Sequence, residues 1–216
     1  MLKVNYGLTL FRVLRNLITN LIHVVYYWGG NFMTKEENNL ESVLLKDYEF
    51  YIENLARDNK DEVFFNSSDD HALIVLKQIV RSVKNELKIY CGNLCTQVSN
   101  NIDYLNALKE FLDRSGTKIQ VLFADFNEEF YGKPIYRLFN EHREQVKLRE
   151  VLPDHIITKD NVPVHFTIGD FKMYRLETDI KNKKAIGNFN DESSTDVLCQ
   201  VFNRYFKNYS QEVNYI

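Results

Sequence analysis

His165 lies in the apolar run Val164-His165-Phe166-Thr167-Ile168, and a second run, Met173-Tyr174-Arg175-Leu176-Glu177, follows the break Gly169-Asp170-Phe171-Lys172. An imidazole changes charge near neutrality, so His165 could serve as a nucleophile, a proton carrier or an anion ligand. Arg175 and Glu177 are two positions apart, which on a strand puts both side chains on one face. They could pair with each other or with the strand beside them. A guanidinium also matches phosphate bidentately, so Arg175, with Lys172 in the break, is a candidate cation for chemistry at His165. The plainer reading is structural: a strand histidine with a satisfied hydrogen bond, beside an internal Arg-Glu pair.

A second polar cluster, Asn66-Ser67-Ser68-Asp69-Asp70-His71, precedes a run of helical periodicity. His71 falls in the first helical turn, where free N–H groups favour an anion. Capping by Ser67 or Ser68, with Asp69 and Asp70 set against the helix dipole, explains the same residues without a ligand. A paired-carboxylate cation site using Asp69 and Asp70 is conceivable, with Asp125 as a further ligand because it ends a neighbouring strand. Cys91 and Cys95 have no second Cys or His pair at zinc-site spacing, so no metal is expected. Lys181, Lys183 and Lys184 form the one compact basic run and read as a solvated turn, offset by Glu177 and Asp179. No Walker loop, dinucleotide-binding glycine turn, serine elbow or His-Glu-x-x-His occurs, so no cofactor is implied.

The chain of 216 residues is long enough for one domain with a short appendage, and 44% hydrophobic content supplies a core. With 28 Phe and Tyr (15 and 13) against 8 Gly and 3 Pro, low complexity is excluded. A net charge of -3 provides no global field for polyanions, so nucleic acid would need a local patch. Three cysteines at these spacings suggest no disulfide framework, and a reducing, cytoplasmic setting is expected.

Apolar periodicity predicts helices over 38–57, 72–83, 104–112, 135–139 and 194–209, with Gly116 as a stop signal. Between them fall strands at 62–65, 87–91, 119–124 and 146–151. After Pro153 come three strands in succession, 164–168, 172–176 and 185–189. Strands alternating with helices imply an α/β domain with a mixed, largely parallel sheet flanked by helices on both faces.

This order of elements over residues 62–209 resembles one half of a phospholipase D superfamily domain, with Pro163 to Tyr174 similar to the hairpin bearing the family's His-x-Lys-x4-Asp motif. The resemblance implies a histidine nucleophile that attacks a phosphodiester, a lysine that binds the phosphate, an aspartate that supports the site, and assembly of single-motif chains as homodimers. Two registers are open. With Asp170 at the aspartate position, Pro163 replaces the nucleophile and His165 the lysine. With His165 as nucleophile, Thr167 replaces the lysine and Lys172 the aspartate. Either way the His-Lys pair is lost, and the family's Gly-Ser-x-x-Asn element has only a displaced echo, Gly187-Asn188-Phe189-Asn190. The catalytic candidates carried over are therefore His165 and Asp170, and the ligand-binding candidates are His71, Lys172, Arg175, Glu177 and Asn188.

Residues 1–32 stand apart. Positions 8–28 form a broad apolar face interrupted by Arg12, Arg15, Asn16 and Asn20, which suits an interfacial helix better than a spanning one. Met33 opens an ordinary soluble sequence, so 1–32 is either an amphipathic segment or an untranslated leader, with the domain at 33–216. The expectation is a non-catalytic binding or assembly module, recognising a phosphate-bearing ligand or nucleic acid, with a homodimer as its natural assembly. The alternatives are a divergent phosphodiesterase or nuclease using His165 in a homodimeric site, and a membrane-associated effector acting through residues 8–28.

Overall fold

A computed structural model describes residues 35–216. The expectations for residues 1–32, 8–28 and Met33 lie outside these. Up to Val43 the described residues belong to the start of helix α1 (Lys35–Arg57), and Leu44–Ile216 form one compact unit. Its elements in chain order are the rest of α1, β1 (Phe64–Asn66), α2 (Asp69–Ser82), β2 (Glu86–Cys91), α3 (Ile102–Leu112), β3 (Lys118–Phe123), α4 (Pro134–Glu141) and β4 (Val146–Val151). Then follow a small hairpin of β5 (Thr158–Lys159) and β6 (Val162–Pro163), the strands β7 (His165–Gly169), β8 (Met173–Asp179) and β9 (Lys184–Asn188), helix α5 (Glu192–Asn208) and β10 (Ser210–Glu212).

Eight strands form one mixed sheet in the order β1-β9-β8-β7-β2-β3-β4-β10. The two faces follow from alternation along each strand. Leu87, Ile89, Ile119 and Val121 pack against Ile52, Val75, Ile79, Leu108 and Phe139 of α1 to α4. Tyr90, Leu122, Phe166 and Ile168 turn the other way, onto Cys199 and Phe202 of α5. Helices thus cover both faces, as the periodicity predicts.

The parallel share is smaller than expected. Among the described residues only β2–β3 and β3–β4 are parallel, while β7, β8, β9 and β1 join antiparallel to one another and β7 joins antiparallel to β2. The cause is connection length. The turns after β7 and β8 are too short for a crossover and can only reverse the chain. Among the described residues, no helix is long and apolar enough to cross a membrane.

The turn between β7 and β8 has an unusual composition. Asp170 and Phe171 both adopt positive φ, 48° and 60°, and Lys172 N–H donates to the Gly169 carbonyl at 3.2 Å. Such turns favour Asn-Gly, because a side chain in the left-handed region costs about 1–2 kcal/mol. The Asp170 carboxylate offsets that cost by accepting from the backbone N–H groups of Lys84 (2.6 Å), Asn85 (2.9 Å) and Glu86 (3.0 Å). This clamp fixes the hairpin to the start of β2. Asp170→Ala should therefore lower stability by about 2 kcal/mol, read from urea unfolding. A loss within experimental error would show that the clamp contributes nothing.

Candidate functional site

The hairpin register determines which side chains meet. His165 lies opposite Glu177 and Thr167 opposite Arg175, while β9 and β1 extend the same rows through Ala185 to Asn66 and through Gly187 to Phe64. Gly187 is required here. A Cβ at that position would lie 2.3 Å from Phe64 Cζ and 2.5 Å from the Tyr174 carbonyl oxygen. Without one, the Phe64 ring can occupy the space over β9.

Four polar side chains form a chain across this face. Arg175 Nε–H donates to Asn66 Oδ1 at 3.0 Å, and Arg175 Nη2–H donates to Glu177 Oε1 at 3.1 Å. The second carboxylate oxygen of Glu177 lies 3.2 Å from Nδ1 of His165. Asn66 in turn donates through Nδ2 to the Lys183 carbonyl at 3.1 Å. Asn66, Arg175 and Glu177 are buried, and the side chain of His165 is 22% exposed, which makes it the one member of the chain that reaches solvent to this extent.

Electrostatics favour an ionised Glu177. Burial alone raises its pKa, but the hydrogen bond with His165 and the charge and hydrogen bond of Arg175 outweigh burial, and the net shift is downward. An ionised carboxylate only accepts hydrogen bonds, so Nδ1 of His165 carries the proton and Nε2 is left over. The Nε2 edge faces the backbone at Gly92, just past the end of β2. A Cβ there would lie 3.6 Å from His165 Cε1 and 3.7 Å from Nε2. The open edge of the imidazole thus sits at the carboxyl end of the parallel strands, where open α/β sheets place their ligands. At the end of β2, burial, with Cys95 nearby, pushes the Cys91 thiol far up and disfavours its thiolate.

Of the residues singled out in the sequence, His165, Arg175 and Glu177 come together. Asp170 and Lys172 do not join them, lying in the turn at the far end of β7, roughly 16 Å from His165 at about 3.3 Å per residue. Lys172 Nζ donates to Asn59 Oδ1 at 2.8 Å. Asn188 is also elsewhere, opposite Tyr174, donating to Asp61 at 2.8 Å and accepting from Asn190 N–H at 2.8 Å. His71 packs its ring on Tyr48, with centroids 4.1 Å apart, and its N–H donates to Ser68 Oγ, the capping arrangement that the sequence suggests. Among the described residues no group of three or more His, Cys, Asp or Glu could hold a metal ion. Asn66 and Gly92 were not legible in the sequence as site residues, because each enters through strand pairing and not through a local motif.

No protein-family model matches the chain, and no curated protein matches it in sequence. Solved structures do. TrmBL2, an archaeal chromatin protein, matches over 93% of this chain and 69% of its own with 15% identity and a TM-score of 0.50. Nuc from Salmonella typhimurium, a phospholipase D family member, matches over 71% of this chain and 99% of its own, with 12% identity and a TM-score of 0.52. NucT from Helicobacter pylori matches over 70% and 99%, with 13% identity and a TM-score of 0.50. The fold is therefore phospholipase D-like.

The depressed Glu177 carboxyl has a pH consequence. Its folded pKa lies below the unfolded value of about 4.3, so the stability it contributes is fully present above that value and is lost as pH falls through the folded one. Glu177→Gln, which leaves Arg175 buried beside a neutral amide, should cost about 3–5 kcal/mol at neutral pH. In urea unfolding across a pH series, the gap to the unmodified protein should narrow below about pH 4. A gap that stays constant into acid would contradict ionisation of Glu177.

Proposed function

We propose that the domain binds a phosphate-bearing ligand at the Nε2 edge of His165 and does not cleave it. The observation that carries this reading is the commitment of Arg175. A phosphodiester under attack needs fixed cations for its developing charge, and the guanidinium faces Asn66 and Glu177 instead of the open edge. Lys172, the other cation of the hairpin, is held at its far end. In the Asp170 register, the nucleophile position falls on Pro163, an exposed residue of the β5–β6 hairpin that precedes β7. That supports a degenerate motif. What remains is an oriented imidazole whose protonated form, balanced by Glu177, can donate to a phosphate oxygen.

Nucleic acid is the ligand class to test first, since one structural neighbour is described by its DNA binding. The free thiols Cys91, Cys95 and Cys199 fit a reducing, cytoplasmic compartment. A second reading, a divergent phosphodiesterase, is favoured by the His165–Glu177 pair itself, because a carboxylate on Nδ1 leaves an Nε2 lone pair free to attack. It would require a cation from a second copy of the chain, and hence a homodimer.

Two variants test the binding edge, and a cleavage assay separates the readings. His165→Ala should weaken binding of a short single-stranded oligonucleotide about tenfold, or ~1.4 kcal/mol, in a fluorescence anisotropy titration. Gly92→Ala, whose added methyl would meet the imidazole at ordinary contact distance, should weaken it as well, with an unchanged unfolding midpoint. With chelator present, neither phosphodiesters nor oligonucleotides should be cleaved. Metal-independent cleavage abolished by His165→Ala would overturn the non-cleaving reading in favour of the second.

A further inference from the structure

The basic run Lys181-Asn182-Lys183-Lys184 is not a remote loop. Lys181, Asn182 and Lys183 belong to the turn between β8 and β9 and Lys184 opens β9, at the same end of the sheet as His165 and Glu177. The turn is internally built. Asp179 accepts from Asn182 N–H at 3.0 Å and from Asn182 Nδ2 at 2.8 Å, Lys183 N–H donates to the Ile180 carbonyl at 3.3 Å, and Lys183 adopts positive φ, 56°. Asp179, in electrostatic reach of Lys181 and Lys184, thus has both oxygens engaged in shaping the turn. Lys183 pairs with Asp69 of α2 at 3.5 Å. Lys181 and Lys184 are exposed and form no ion pair within 4.0 Å among the described residues.

Asn66 links this turn to the site. It is 3% exposed, and its two ends bond Arg175 and the Lys183 carbonyl. The lysines are therefore held in register with His165 by a buried side chain instead of hanging from a free loop.

We propose that Lys181 and Lys184 contact the backbone of a single nucleic-acid strand, one phosphate of which meets His165. This rests on the phosphate-binding reading of the site and names its ligand as a polymer. Spacing is the reason. β7 and β9 are two strand spacings apart, roughly 10 Å, and Asp179, opposite Lys184, lies about 7 Å beyond Glu177 along β8. One phosphate at His165 does not fill that distance, whereas successive phosphates of a strand can span it. Backbone binding by lysines is sequence-independent and salt-dependent, and its log–log salt slope falls by about 0.7 for each single-strand phosphate that is no longer neutralised.

The test uses the full chain with Lys181→Gln and Lys184→Gln combined, leaving the Lys183–Asp69 pair intact. Two titrations are read: a labelled single-stranded oligonucleotide over a salt series, and inorganic phosphate monitored at the His165 imidazole signals. Oligonucleotide affinity should fall about tenfold, with the salt slope reduced by roughly 1.4 for two phosphates, while the phosphate response stays unchanged. Unchanged affinity and slope would overturn the proposal. Phosphate binding at His165 without any oligonucleotide binding would also overturn it and leave the phosphate-binding reading standing. Failure of both ligands to bind would remove both.

Discussion

One carboxylate, that of Glu177, holds two side chains at once: Nδ1 of His165 through one oxygen and the Arg175 guanidinium through the other. A buried carboxylate is costly unless it is paired and hydrogen-bonded, so the three groups stand or fall together. Arg175 keeps Glu177 ionised, Glu177 selects the tautomer of His165, and Asn66 keeps Arg175 from turning elsewhere. The result is an imidazole whose inner nitrogen is occupied and whose outer nitrogen is offered at the end of the sheet.

The two ends of the β7–β8 hairpin divide the labour. At one end Asp170 clamps the turn to the start of β2 and sets the register. At the other end that register brings His165 opposite Glu177. Asp170 thus serves the site through geometry, without touching it. Gly187 has a similar standing, since its missing side chain admits the Phe64 ring at the end of the Arg175 row.

The helices and most strands were legible because burial on two faces imposes period on the sequence. The periodic run at 194–209 becomes α5 and that at 146–151 becomes β4. The β5–β6 hairpin and β10 were not, for they have only two and three residues and pair by backbone alone. The balance of parallel and antiparallel pairing also escaped, because periodicity carries no strand direction. Within the site, Arg175 and Glu177 are legible as one strand face, whereas no local motif names the partner of His165. A signal existed: with the turn centred on Phe171, His165 and Glu177 are equidistant from it and must face each other across the hairpin. Asn66 could not be found that way, since it reaches Arg175 from a strand more than a hundred residues earlier.

The tautomer of His165 is the most direct measure of this arrangement. Long-range 1H–15N correlation of the neutral imidazole should show the proton on Nδ1 and a bare Nε2, and Glu177→Gln should abolish that preference. A dominant Nε2–H tautomer, or one indifferent to Glu177→Gln, would contradict it.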